Sequence, residues 1–272
     1  MERRERSNVV AYDLATRDKL PVIRRLMACD EAGLALDIGI GTGYTTARVF
    51  GERPTVCVDM DLGNLRLYRE YAASAPGVSR PMCVLADASA LPFKPGAFRF
   101  VLCSEVLEHL DDDRGAVREL GRVLAGDGRA VITVPYSGLG FTSFLELLGI
   151  KTVHDFPGPE RHVRPGYDER TLERVLGDHG LQITQHEFYF RFFTRLAADG
   201  VSLAHLLYQR IVHGRRSWTW ANAAEADGGL AFGLYVRVFP LLRAFAVLDR
   251  LLRSIRGFGF VVAVSKQATR CR

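Results

Sequence analysis

Between residues 34 and 135, short apolar runs alternate with segments of helical spacing. LALDI (34–38), TVCVD (55–59), MCVLAD (82–87), FRFVLCS (98–104) and GRAVITVP (128–135) have the length and continuity of buried strands. Between them lie the segment up to Phe50, LGNLRLYREYAASA (62–75) and DRGAVRELGRVLA (113–125), which carry apolar positions at helical intervals. Strand-length runs alternating with helices predict βαβ units and a parallel sheet covered on both faces. A helix is expected over 8–28.

After Pro135 the rhythm changes. A long connection with Gly and Pro clusters leads to a capped helix, DERTLERVLGDHG (168–180), and a strand, LQITQHEFYF (181–190). A further strand, GFGFVVAVSKQ (257–267), brings the expected strand total to seven. Residues 191–256 between these two strands read as helical, apolar and basic. The expected organisation is therefore one domain made of 1–190 with 257–272, and an inserted helical lid or cap at 191–256.

Composition agrees with a globular α/β chain: 272 residues, 48% hydrophobic and 25% charged. The first ten residues, MERRERSNVV, lack the apolar core of a secretory signal, and no apolar run is long enough to span a bilayer. The five cysteines include no C-x-x-C pair. They read as reduced thiols in a cytoplasmic protein, and no metal site is expected. Charge is uneven. Residues 191–272 hold 13 Lys and Arg against 4 Asp and Glu, within a chain of net charge +5.

The stretch LDIGIGTGYTT (36–46) carries the chemistry. Glycines following a strand and opening a helix let backbone approach a ligand closely. No Lys lies in 36–50, so a P-loop is excluded. The dinucleotide fingerprint G-x-G-x-x-G also fails, because its third glycine position falls on Tyr44 or Thr46. The glycines run G-x-G-x-G, at 39, 41 and 43, just after Asp37.

With the motifs that follow, this arrangement resembles the class I S-adenosylmethionine-dependent methyltransferases, in their small-molecule, quinone-type branch. LDIGIGTG, VCVDMD, LADASALPF, and VLCSEVLEHLDD followed by ELGRVLAGDGRAVITVP stand in the family's order over about residues 30–135. The resemblance implies a Rossmann-like, seven-stranded, mostly parallel sheet with helices on both faces. It implies S-adenosylmethionine as cofactor and S-adenosylhomocysteine as product. It places Asp37, Gly39, Ile40, Gly41 and Gly43 around the ligand, Asp59 and Met60 at the ribose, and Asp87 and Ala88 at the adenine. Ser104 and Glu105 would meet the methionine end. Asp61 reads instead as a helix N-cap. Arg99 and the Gly126-Asp127-Gly128 turn depart from the family pattern.

An oxygen acceptor needs deprotonation, and histidine is the usual base near neutral pH. His109, in EVLEHL directly after the fourth strand, and His162, in ERHVRPGY, are the candidate catalytic residues, with Tyr167 nearby. Glu105 and Glu108 flank His109 and could orient its ring. Nucleic acid is not the expected target: strand five ends VPYS rather than in an amide- or acid-Pro-Pro-aromatic motif, and no cysteine follows a proline.

O-methylation of a small apolar acceptor (quinone, lipid, polyketide or similar metabolite) is expected; the alternatives are N- or C-methylation of a small metabolite, or a non-catalytic module that binds S-adenosylmethionine or S-adenosylhomocysteine. For the insertion three roles stay open. It could be a packed helical cap, a lid that docks on an anionic membrane surface through 230–256, or a homodimer interface. Phe232, Tyr235, Phe239, Leu242, Phe245 and Leu248 form its near-helical apolar series, and Pro240 is expected to bend or restart the helix.

Overall fold

The computed structural model describes residues 13–28, 31–138, 144–147, 162–213, 230–252 and 254–267. The chain divides into two compact units. The larger comprises 19–138, 162–187 and 259–272; the other comprises 1–18, 139–161 and 188–258. The boundary thus differs from the sequence expectation, in which 1–18 and 139–161 belonged with the sheet. One local reason is visible: the Phe144 amide donates to the Asp199 carboxylate across 2.9 Å, binding that short segment to the inserted helices.

The larger unit is built on a seven-stranded sheet: β1 (Ala35–Ile38), β2 (Thr55–Asp59), β3 (Met82–Leu85), β4 (Phe98–Ser104), β5 (Leu124–Pro135), β6 (Leu181–Tyr189) and β7 (Gly259–Lys266). Their order in space is β3-β2-β1-β4-β5-β7-β6. The first five are parallel, and β7 runs antiparallel to β5. Four helices belong to the same run of chain. These are α1 (Leu14–Met27), α2 (Tyr44–Phe50), α3 (Leu62–Ser74) and α4 (Asp113–Val123).

Strand order reverses between β1 and β4. Right-handed crossovers therefore send the helices after β1 and β2 to one face and the helix after β4 to the other. Inner strands are apolar on both faces because both are covered; Leu36, Val101, Leu102 and Ile132 are wholly buried. On one side Ile40, Ala47, Cys57, Leu65, Tyr68 and Ala72 form a cluster beneath α2 and α3. Asp61 caps α3 by accepting from the Gly63 amide at 2.7 Å, as its position predicts.

β5 begins four residues before the expected start. A register shift between Phe98 and Phe100 accommodates the Gly126-Asp127-Gly128 turn. Arg99 sits at this irregularity and pairs with both Asp127 and Glu31.

In the other unit, α5 (Phe144–Leu147) precedes two long helices, α7 (Phe192–His213) and α8 (Leu230–Ala246); α6 (Glu169–Gly177) lies in the larger unit. Asp249 is buried and caps α7, accepting from the amides of Phe193 (2.7 Å) and Thr194 (2.9 Å). Arg195 is also buried, with Asp199 one turn away at 3.2 Å and its guanidinium over the Phe258 ring. Not all the insertion's arginines are therefore solvated. α8 continues through Pro240, so of the two expected outcomes the helix does not restart there. Phe232 and the His154, His205 and His213 side chains lie outside the description.

Candidate functional site

Every described candidate residue of the ligand cradle lies at or just beyond the C-terminal end of a parallel strand, beside the reversal between β1 and β4. Open α/β sheets bind ligands at such a switch point, because neighbouring connections leave there in opposite directions.

The turn after β1 uses its glycines for different reasons. Gly39, Gly41 and Gly43 all have positive φ, at 75°, 50° and 72°. A Cβ on Gly43 would lie 1.9 Å from the Tyr68 ring, and one on Gly39 would lie 2.4 Å from Val106. Those two positions are closed by protein. A Cβ on Gly41 would meet nothing within 4 Å, so this position faces open space. Ile40 is placed differently from its expected ligand-lining role. Its side chain belongs to the buried cluster, and its amide donates to the Val58 carbonyl at 3.1 Å.

Asp59 ends β2. One carboxylate oxygen accepts from the Gly41 amide at 3.0 Å, the other from the Asp61 amide at 2.8 Å. Met60, next along, is exposed. Asp87 lies two residues beyond β3 and closes a small turn by accepting from the amide and hydroxyl of Ser89; Ala88 beside it is buried. Asp37 is buried inside β1 and accepts from the Thr46 hydroxyl. Burial pushes its pKa up to about 8, which gives it the role of fixing the glycine turn to α2 rather than of an exposed acid.

Past β4 the backbone turns sharply at Glu105, which has φ 55°, uncommon outside glycine. Thr133 of the neighbouring β5 holds this turn. Its hydroxyl pairs with Ser104 (3.0 Å) and donates to Glu105 (2.6 Å), and its carbonyl accepts the Glu105 amide (3.0 Å). The Lys19 ammonium lies 3.7 Å from the same carboxylate. Thr133 and Lys19 were not among the expected residues. Thr133 could have been found from its register opposite Ser104, whereas the approach of Lys19 from α1 has no signal in the sequence.

A 3₁₀ turn, Leu107–His109, follows. Here the two candidate histidines meet, although 53 positions apart: the rings of His109 and His162 pack edge-on with centroids 4.7 Å apart. The segment carrying His162 is tied down by backbone. The amides of Val163 and Arg164 donate to the Glu108 carbonyl at 2.9 and 3.4 Å, and Tyr167 pairs with Pro135. Arg164 donates to the Leu110 carbonyl and forms an ion pair with Asp113. The buried Tyr167 hydroxyl donates to Asp113 at 2.6 Å. Tyr167 thus fastens the segment rather than facing a ligand. Burial, and then the neighbouring His109, lower the pKa of His162 below the usual imidazole value. The remaining described histidines lie elsewhere: His186 against the Phe260 ring, His179 in the turn after α6.

The cradle suits one class of ligand. Acids (Asp59, Asp87, Glu105) surround a glycine turn with an open central position, and the only cation between residues 36 and 50, Arg48, lies over the Tyr44 ring. A phosphate would be repelled. A ligand with a hydroxyl pair and positive charge, and no phosphate, fits.

Residues 36–132 match the family described as "Methyltransferase domain". Within those residues the chain is similar to that family, and its seven-stranded, mostly parallel sheet is the fold of the class I methyltransferases. A malonyl-[acyl-carrier protein] O-methyltransferase from Halorhodospira halophila is 33% identical over 202 residues, covering 73% of this chain and 61% of that protein. A ubiquinone/menaquinone biosynthesis C-methyltransferase, UbiE, from Geotalea uraniireducens is 30% identical over 106 residues, 38% of this chain and 45% of its own length. The chain therefore spans less than two thirds of the length of these curated relatives. Among solved structures, the [4+2]-cyclase SpnF superposes with a TM-score of 0.57 at 18% identity, covering 92% of this chain and 80% of its own; that likeness concerns the fold. Among the described residues, no helix is long and apolar enough to cross a membrane.

Proposed function

We propose that this chain is an S-adenosylmethionine-dependent methyltransferase acting on an oxygen of a small, largely apolar acceptor, with S-adenosylhomocysteine as product. The observation that carries the reading is the His109–His162 pair beside the acidic, phosphate-free cradle. S-adenosylmethionine, when bound, supplies a methyl group already activated on a sulfonium. Asp59 is placed to accept from its ribose hydroxyls and Asp87 from its adenine amine, with Gly41 giving backbone approach. The chain's remaining task is to place an acceptor oxygen in line and remove its proton. Burial and the neighbouring His109 hold the His162 pKa below the usual value, which favours the neutral imidazole and leaves its lone pair available at the acceptor side.

The second unit supports an apolar acceptor taken from an anionic lipid surface on the cytoplasmic side. On α8 the side chains of Leu234, Val238, Leu241 and Phe245 are exposed at intervals of four, three and four residues, which is one helix face. Arg237, Arg243 and Arg256 are exposed close by in the sequence. An apolar stripe with flanking cations suits the interface of a bilayer. Flotation with anionic liposomes tests this part: retention supports it, and a salt-independent dimer that ignores liposomes overturns it in favour of a homodimer face.

The reaction is tested by incubating the protein with methyl-labelled S-adenosylmethionine and a cell extract. Label in the organic phase, attached through oxygen, supports the reading. Label on protein or nucleic acid overturns the acceptor class. Label on carbon favours the chemistry named for the UbiE relative.

A further inference from the structure

Glu108 lies between the two histidines and is the least explained group in the larger unit. It is wholly buried, and neither of its carboxylate oxygens has a hydrogen-bond partner. The same is true of His109 Nδ1. The His109 Nε2 atom stands 3.9 Å from Glu108 Oε1, too far for a hydrogen bond. The nearby cations are bonded elsewhere, Lys19 to Glu105 and Arg164 to Asp113 and the Leu110 carbonyl, and act on Glu108 only through their charge. Burial, and then the charge of Glu105, push the Glu108 pKa up to about 9, so at neutral pH it holds a proton in this fold, and the acid still stands without a hydrogen-bond partner. Folded proteins place such a group where something else satisfies it.

One ligating atom each from Glu108, His109 and His162 lie within 4.8 Å of one another. The arrangement is fixed by backbone, since the Glu108 carbonyl accepts the amides of Val163 and Arg164 and so keeps the His162 segment against the 3₁₀ turn. We propose that Glu108, His109 and His162 bind a divalent transition-metal ion of the zinc or manganese type.

Two imidazoles and one carboxylate are the donor set of such ions, and three protein ligands leave a coordination position open. Magnesium and calcium, which favour oxygen ligands throughout, fit less well. Tetrahedral bonds of about 2.1 Å hold ligand atoms about 3.4 Å apart. The two imidazoles are only partly buried, and small rotations about their side-chain bonds close the remaining gap onto the fixed Glu108.

The consequence for catalysis rests on the proposed O-methylation. An acceptor hydroxyl reaching the open position would ionise more easily, its proton passing to solvent. The oxygen then forms the bond to the methyl carbon as the carbon–sulfur bond breaks and its electron pair stays on sulfur. The imidazoles act as ligands in this scheme, and neither serves as a free base.

The test uses the full chain, stripped with a chelator and titrated with Co²⁺ in the visible range and with Zn²⁺ and Mn²⁺ by calorimetry. One equivalent is expected to bind, with Co²⁺ bands of a nitrogen–oxygen site. His162→Ala, at a partly exposed position, and Glu108→Gln, a neutral isostere, should each weaken binding at least tenfold. No saturable binding, or binding unchanged in His162→Ala, overturns the proposal even if Glu108→Gln fails to fold. S-adenosylmethionine binding and label transfer are measured on the same samples. Methyl transfer that survives complete chelation overturns the catalytic role alone; metal binding without methyl transfer leaves the site standing and overturns the reaction.

Discussion

The Gly41 amide donates to the Asp59 carboxylate across 3.0 Å, joining the glycine turn after β1 to the end of β2. The contact sets the cradle's shape before any ligand arrives, and it leaves Asp59 aimed at the one glycine whose outer side is open. Replacing Asp59 by Ala should weaken S-adenosylmethionine binding about 10- to 100-fold, because a hydrogen bond to a charged group contributes about 1.5–3 kcal/mol. Calorimetric titration reads this directly. Unchanged affinity would remove Asp59 from the ribose.

The three glycines should separate by substitution. Gly43→Ala drives a methyl group into the Tyr68 ring and should abolish folding or lower the melting temperature severely. Gly41→Ala meets no protein atom and should cost only about 1–2 kcal/mol for its left-handed backbone. That variant should nonetheless lose cofactor affinity, because its methyl group occupies the open side. Circular dichroism melts beside binding titrations distinguish a broken fold from a filled site.

Asp37 should make the fold less stable as pH rises. Its folded pKa, about 8, lies above its ordinary value of 3.8. The folded state therefore holds a proton that the unfolded chain has released, and stability falls from about pH 4 up through about pH 8. Asp37→Asn keeps an acceptor for the Thr46 hydroxyl and removes the charge. Its melting temperature should exceed that of the unaltered chain at pH 9, with the difference shrinking toward pH 5. A difference that does not change with pH would mean Asp37 is ionised in the fold.

Tyr167 fastens the segment that carries His162. Tyr167→Phe removes the hydroxyl that donates to Asp113 from a position 2% exposed. A loss of about 1–2 kcal/mol is expected in denaturant melts. Methyl transfer should fall while S-adenosylmethionine affinity holds, since the cradle lies on other strands. Loss of cofactor binding in this variant would place Tyr167 in the cradle instead.

Much of this was legible because it is local. Apolar runs of strand length, G-x-G-x-G after the first of them, and acids ending the second and third state their own positions, and the parallel sheet follows from the alternation of strands with helices. The cap at Asp61 was equally readable, since its bond closes within two residues. What the chain order could not reveal depends on separation. His162 meets His109 only because backbone bonds from Val163 and Arg164 reach Glu108. Thr133 supports Glu105 through strand register, and Lys19 comes from a helix some 85 positions away along the chain. Ile40 looked like part of the ligand turn, yet the turn's geometry points it into the core. At Pro240 the sequence left a bend or a restart open, and α8 does not restart. Sequence by itself determined which elements form and where the glycine turn falls, because short-range sterics and burial periodicity act within a few residues. Tertiary structure alone decided which distant side chains share the site and that Glu108 stands buried among them without a partner, because desolvation is set by everything packed around a group.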